Sequence, residues 1–303
     1  PSTQSIIQTN RGCPYQCTYC QEGDSYYNKM YFHSLEYVFK ELDYIAEIVS
    51  LSGGLFIVDT NWGMFPQDIE IAKYIRRLQE NNGWPMIIDC DTGKSHLKRI
   101  TKIAEILQGT MTMSNSVQSM DGNVLRNIKR KNLPNLLESI KDFTISQQRT
   151  ELILPLPAET KETFVAGLSK ILDTQASVRF AVYPALMLSN TELDTEESVK
   201  KYHLKVMYRQ HQNILGFCAG EFVCETERFI VSTSTMTQED MLLCRAYSLL
   251  LSAIMRYDPI YELFLYLDYR GIKRSDYILK LFGMVSSIPE DVQKCINAYN
   301  NDY

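Results

Sequence analysis

The feature that most restricts the fold is an alternation. Short β-rich runs and helical patterns follow one another through the first two thirds of the 303 residues. Ser5–Thr9 reads as a strand, followed by an amphipathic helix over Leu35–Val49 with Ser34 as its cap. Strands at Leu55–Asp59, Met86–Asp89, Met111–Ser114, Leu152–Leu154 and Val178–Tyr183 continue the series. Between them the spacing predicts helices over Gln67–Asn81 behind Pro66, His96–Leu107, Asp121–Lys131 with a second opened by Pro134, and Lys161–Asp173. Six β-then-α units imply a parallel sheet or barrel built from right-handed crossovers.

The pattern changes near residue 190. Thr191–Tyr202 is polar and reads as a connection with a helical turn. Glu221–Thr233 reads as two short strands or an extended pair. Thr237 and Asp240 can open a helix as a capping-box variant, and Met241–Arg256 then carries apolar residues at helical spacing. This region is expected to be a mainly helical extension packed on the barrel.

Composition removes several classes. With 45% hydrophobic residues the chain can bury a core. The formal charge of −5 argues against a largely electrostatic nucleic-acid binder. No run of about 18 uncharged apolar residues indicates a membrane span, and Pro1-Ser-Thr-Gln does not open a signal peptide. A cytoplasmic, reducing setting is the expectation.

Of eight cysteines, three crowd into Cys13-Pro-Tyr15-Gln-Cys17-Thr-Tyr19-Cys20, directly after the first strand. Thiolates are soft ligands that suit iron–sulfur clusters or zinc. A structural zinc site wants four ligands, usually as paired C-x2-C, and no partner pair follows. Three thiolates on one loop can hold three irons of a [4Fe–4S] cluster and leave the fourth open. A non-catalytic iron–sulfur or zinc-binding interaction protein stays an alternative. Cys90, Cys218, Cys224, Cys244 and Cys295 read as separate thiols, Cys90 being the one placed to face a cavity.

The C-x3-C-x-aromatic-C spacing, with Tyr19 as the aromatic, resembles the signature of radical SAM enzymes. The resemblance continues in order over residues 5–193. Asp59-Thr-Asn61-Trp62 after the second strand is similar to a variant found in the cobalamin-linked subgroup, and Ser116 and Gln118 lie in a segment similar to the family's Gln-Ser stretch. Leu154-Pro-Leu156-Pro-Ala-Glu159-Thr160 resembles Gly-Leu-Pro-Gly-Glu-Thr, with Pro155 and Ala158 departing from the two glycines. Tyr183 ends the sixth strand.

The resemblance implies a partial (β/α)6 TIM-like barrel over 1–193 and a mostly helical C-terminal extension over 194–303. It implies that Cys13, Cys17 and Cys20 ligate a [4Fe–4S] cluster, and that S-adenosylmethionine (SAM) meets Tyr15, Tyr19, Asp59, Asn61, Ser116, Gln118, Leu156 and Tyr183. The implied reaction is reductive cleavage of SAM to a 5′-deoxyadenosyl radical, with an external one-electron reductant and a small-molecule or peptide substrate. Lys129 and Arg130 read as a solvated helix end. The cobalamin-linked likeness adds cobalamin as a third cofactor, methylation as a reaction, and a cobalamin-binding domain upstream of Pro1, because this chain shows no D-x-H-x-x-G motif. A tRNA methylthiotransferase-like enzyme is the runner-up, against which the acidic balance and helical tail count.

Overall fold

The computed structural model describes residues 4–49, 53–93, 95–131, 148–174, 178–255, 258–283 and 289–301. Its strands are β1 (Ser5–Ile7), β2 (Asn10–Arg11), β3 (Tyr31–Phe32), β4 (Leu55–Trp62), β5 (Ile88–Thr92), β6 (Met111–Gln118), β7 (Gln148–Leu154), β8 (Val178–Pro184), β9 (Lys205–Cys218) and β10 (Glu221–Ser232). Six of them form one parallel sheet in the order β1-β4-β5-β6-β7-β8. The order never reverses, so the sheet winds in one direction, as a barrel does, and every C-terminal strand end lies along one rim. Among the described residues β1 and β8 do not pair.

The connecting helices are α1 (Leu35–Ile48), α2 (Gln67–Asn82), α3 (Leu97–Ile106), α4 (Gly122–Asn127) and α5 (Lys161–Leu172). Ser34 Oγ accepts from the Tyr37 amide at 3.2 Å to start α1. Gly83, at φ 71°, ends α2 in the left-handed conformation. Thr160 and Thr163 cap α5 reciprocally. Val38 and Leu42 of α1 and Ile71, Ala72 and Ile75 of α2 pack on Leu55 and Ile57 of β4, all essentially inaccessible to solvent. The helix expected after Pro134 lies outside the described residues.

Asp121 caps α4 through its carboxylate to the Asn123 and Val124 amides. The helix is shorter than the sequence pattern suggests. Lys129 adopts φ 52°, and the Arg130 amide donates back to the Leu125 carbonyl at 2.8 Å. This left-handed turn folds Arg130 back over the helix end instead of letting it run into solvent.

After the short helix α6 (Glu196–Tyr202), β9 and β10 form a long antiparallel hairpin whose turn residues, Ala219 and Gly220, both have positive φ. The expected pair within Glu221–Thr233 is one strand, and its partner is the preceding segment. The root of β10 joins the rim of the sheet: the Ile230 amide donates to the Ala185 carbonyl and the Met187 amide to the Arg228 carbonyl, both at 2.9 Å. The helical reading holds from there on, in α7 (Gln238–Met255), α8 (Asp258–Tyr269), α9 (Arg274–Gly283) and α10 (Glu290–Asn300). Leu152, Leu154, Phe164 and Leu168 share one apolar cluster with Phe229, Met241, Leu251, Phe264 and Ile278, so sheet and extension are built on common core.

Candidate active site

The loop after β1 is held from three sides. Gly12 has φ 104°, and a Cβ there would come within 2.5 Å of the Lys29 carbonyl oxygen and 2.8 Å of the Tyr27 carbonyl oxygen. Only glycine lets the loop pass against this segment. The Cys13 amide donates to the Tyr27 carbonyl at 2.8 Å, and the Thr18 amide to the Ile128 carbonyl at 3.1 Å. The Leu193 amide donates to the Thr18 carbonyl at 2.8 Å, so the segment after β8 braces the loop as well. Cys13 and Cys17 are buried and Cys20 is half-buried.

The three thiols suit a multi-iron cluster. Asn61 Nδ2 donates to Cys13 Sγ at 3.3 Å, and Arg130 Nη1 donates to Cys17 Sγ at 3.8 Å. Donors aimed at sulfur favour its thiolate form and tune a bound metal. Burial pushes the Cys13 thiol up, while the Tyr15 amide and Asn61 pull it down; burial likewise raises Cys20, against the Glu22 amide. Metal ligation supplies the charge compensation that burial withholds from a bare thiolate. Among the described residues no three His, Cys, Asp or Glu side chains converge as the ligands of one ion would.

The end of β4 is organised differently from the sequence expectation. Asp59 is 1% exposed and spends its carboxylate on the start of the loop. Its Oδ1 accepts from the Thr9 amide at 2.7 Å and the Asn10 amide at 3.2 Å; its Oδ2 accepts from Asn10 Nδ2 at 2.6 Å and from the Thr9 hydroxyl. Burial nevertheless pushes this carboxyl up. In this structure Asp59 anchors the loop, and Asn61 addresses a cysteine sulfur. Both are buried in step with Leu55 and Ile57 along the strand. Cys90 belongs to the helix-packed apolar cluster of Leu55 and Ile57 and does not face the cavity.

The opposite face of β4 carries Thr60, whose hydroxyl donates to Glu22 Oε2 at 2.6 Å. Glu22 sits two residues past Cys20, in a 3-10 turn over Gln21–Gly23. Sequence reasoning passed over both; an acid directly beside a cysteine triplet was the available signal.

On β6 the Ser116 hydroxyl donates to Glu151 Oε2 at 2.7 Å, and the Ser116 carbonyl accepts from Arg130 Nη2. Gln118 is 9% exposed, has φ 66°, and its Oε1 is buried with no protein partner. Leu156 is fully buried against Val124, Leu125 and Ile128, with Tyr19 and Ile153 packed on the group. It therefore supports Tyr19 from below. Arg130 Nη1 donates to the Tyr19 hydroxyl at 2.7 Å, so the expected solvated helix end is instead part of the loop's packing. Lys129 does reach the surface, where it pairs with Glu192 at 2.6 Å. The Tyr15 hydroxyl donates to Ser95 Oγ at 2.9 Å, which places it at the β5 side of the rim. Tyr183, at the end of β8, is 46% exposed.

Glu159 was not expected as a site residue. It is 1% exposed; Oε1 accepts from the Ser119 hydroxyl at 3.3 Å and the Thr163 hydroxyl at 3.2 Å, while Oε2 is buried without a partner. Burial pushes its carboxyl up to about 7, against both hydroxyls. Its main-chain carbonyl accepts from the Thr235 hydroxyl at 2.6 Å, which ties the β7 end to the chain leading into α7.

Comparison with known proteins agrees with this geometry. The family model described as "Radical SAM superfamily" matches residues 7–170. A 2-(S-pantetheinyl)-carbapenam-3-carboxylate methyltransferase of Streptantibioticus cattleyicolor is 30% identical over 256 residues, covering 79% of this chain and 36% of that protein. The cobalamin-dependent radical SAM methyltransferase TokK of Streptomyces tokunonensis is 30% identical over 251 residues, 78% of this chain and 35% of TokK. The chain thus spans about a third of the length of the curated relatives it matches. In fold it is similar to the radical SAM methyltransferase TsrM from Kitasatospora setae, solved with cobalamin and a [4Fe–4S] cluster, at TM-score 0.54 and 15% identity over 75% of this chain and 46% of that one. No described helix is long and apolar enough to cross a membrane. With its cysteine loop at the head of a singly wound parallel sheet, the chain belongs to the radical SAM superfamily, whose enzymes work with a [4Fe–4S] cluster, SAM and an electron donor.

Proposed function

We infer that the chain is the cluster- and SAM-binding part of a cobalamin-dependent methyltransferase. The observation that carries this reading is the 30% identity, sustained over nearly four fifths of the chain, to proteins described as methyltransferases, one of them cobalamin-dependent. Cys13, Cys17 and Cys20 are the proposed cluster ligands. When bound, the cluster and SAM supply one-electron reductive chemistry at the sulfonium, and cobalamin supplies methyl transfer.

The chain's own residues orient these groups. Asp59 fixes the loop, Asn61 and Arg130 donate to cysteine sulfurs, and Leu156 holds Tyr19 in place. Tyr15 borders the site on the β5 side and Tyr183 on the β8 side. Gln118 and Ser116, on the β6 end, are the proposed polar contacts to SAM; the unpartnered Gln118 carbonyl supports this, since a buried acceptor is costly without a donor.

Residues 1–193 are proposed as the barrel and 194–303 as its extension, together forming one catalytic unit. The proposed substrate is a small molecule or peptide, the partners are a one-electron reductant and a cobalamin-binding region, and the setting is the reducing cytoplasm. The test is anaerobic assay with reconstituted iron and sulfide, dithionite and SAM, with and without cobalamin. Cobalamin-dependent formation of S-adenosylhomocysteine supports the reading. Formation that is identical without cobalamin overturns it.

A further inference from the structure

We propose that Arg130 and Glu22 are an opposed pair of charges that set the reduction potential of the cluster on the Cys13–Cys20 loop, Arg130 raising it and Glu22 lowering it. This rests on the reading that the three cysteines carry that cluster.

Arg130 approaches from the α4 side. Its Nη1 lies 3.8 Å from Cys17 Sγ and 2.7 Å from the Tyr19 hydroxyl, and its Nη2 donates to the Ser116 carbonyl. Three partners fix the guanidinium plane, and the left-handed turn at Lys129 delivers it there. Glu22 lies in the turn that follows Cys20. Its carboxylate is held by the Thr60 hydroxyl of β4 at 2.6 Å, within the turn capped by Cys20. It stands two residues past Cys20, so its charge is held beside the cysteine loop.

Reduction adds one electron, taken from the external donor, and leaves the cluster one unit more negative. A fixed cation favours that state and a fixed anion opposes it, most strongly where solvent is excluded. Neither side chain needs to touch iron or SAM. They are positioning residues, acting through a cysteine sulfur and through space.

The experiment is a dye-mediated redox titration of the reconstituted full chain, followed by electron paramagnetic resonance, with iron content measured in parallel. Arg130→Gln is expected to cut the reduced-to-oxidised ratio at a fixed poise about tenfold, a downward shift of about 59 mV for one electron. Arg130→Lys, which keeps the charge, is expected to restore most of that loss. Glu22→Gln is expected to raise the ratio about threefold. Because the two charge removals act in opposite directions, either decides the matter if the other fails to load iron. An unchanged potential in an iron-loaded Arg130→Gln or Glu22→Gln protein, or shifts of the same sign in both, overturns the proposal while leaving the cluster assignment standing. Failure of the wild-type chain to hold iron overturns both.

Discussion

Two ends of the same sheet use their polar residues in opposite ways. At the end of β4, Asp59 has both oxygens taken by Thr9 and Asn10, and Asn61 is committed to Cys13. Around the ends of β6 and β7, Gln118 Oε1 and Glu159 Oε2 are buried and have no protein partner. At the first end Asp59 and Asn61 are committed to building the cysteine loop, although Trp62 Nε1 there is buried without a protein partner. The second retains acceptors and is the side on which a ligand finds hydrogen-bonding capacity. A buried polar residue at a strand end is thus not evidence of ligand contact until its partners have been counted.

This contrast is broken most severely at Asp59. Asp59→Ala would leave the Thr9 and Asn10 amides buried without an acceptor, at a cost of about 3–5 kcal/mol. Denaturant melts should show that loss, and iron uptake should fall with it. A variant that stays within 1 kcal/mol of wild type would show that the anchor is dispensable.

Glu159 is the next largest case. Its folded carboxyl titrates near 7, against an ordinary value of 4.5. The fold therefore prefers the acid form. The stability tied to that form is complete below about pH 4.5 and is lost as pH rises through about 7, a swing of about 3 kcal/mol. Glu159→Gln should remove that swing, so the variant gains on wild type between pH 5 and 8, checked by melts across this range. A constant difference at all pH values would contradict the assignment.

Gln118→Ala should weaken SAM binding about tenfold, or about 1.4 kcal/mol, while leaving iron content unchanged. Loss of iron instead would move Gln118 to the loop-building side of the contrast. The smallest effect is expected at the exposed Cys218 and Cys295. Replacing either with Ser should change stability by less than about 0.5 kcal/mol and leave iron content as in wild type.

Much of this was legible in the sequence. The β-then-α alternation locates all six parallel strands, most clearly where a compact apolar run such as Leu55–Val58 marks one and more weakly at Met111–Ser114, and the cysteine spacing marks the loop. Period two also places Asp59 and Asn61 in step with the buried Leu55 and Ile57, although family likeness alone directs them to SAM. Arg130 was not legible. The turn that redirects it places Lys129, not a glycine, in the left-handed conformation, so the usual mark of a helix C-terminus is missing. The hairpin was obscured for another reason. The run Arg209-Gln-His-Gln-Asn213 gives β9 no apolar alternation, and the distal half of the hairpin is largely exposed, so no buried face imposes one.

The central claim is that Cys13, Cys17 and Cys20 hold a cluster to which SAM binds. The most direct measurement is electron paramagnetic resonance of the anaerobically reconstituted, dithionite-reduced chain, recorded before and after SAM. The account predicts about four irons and four sulfides per chain, a reduced-cluster signal that changes when SAM is added, and loss of both iron and signal in Cys13→Ala, Cys17→Ala and Cys20→Ala. A chain that takes up zinc in place of iron, or a cluster signal indifferent to SAM, would contradict it.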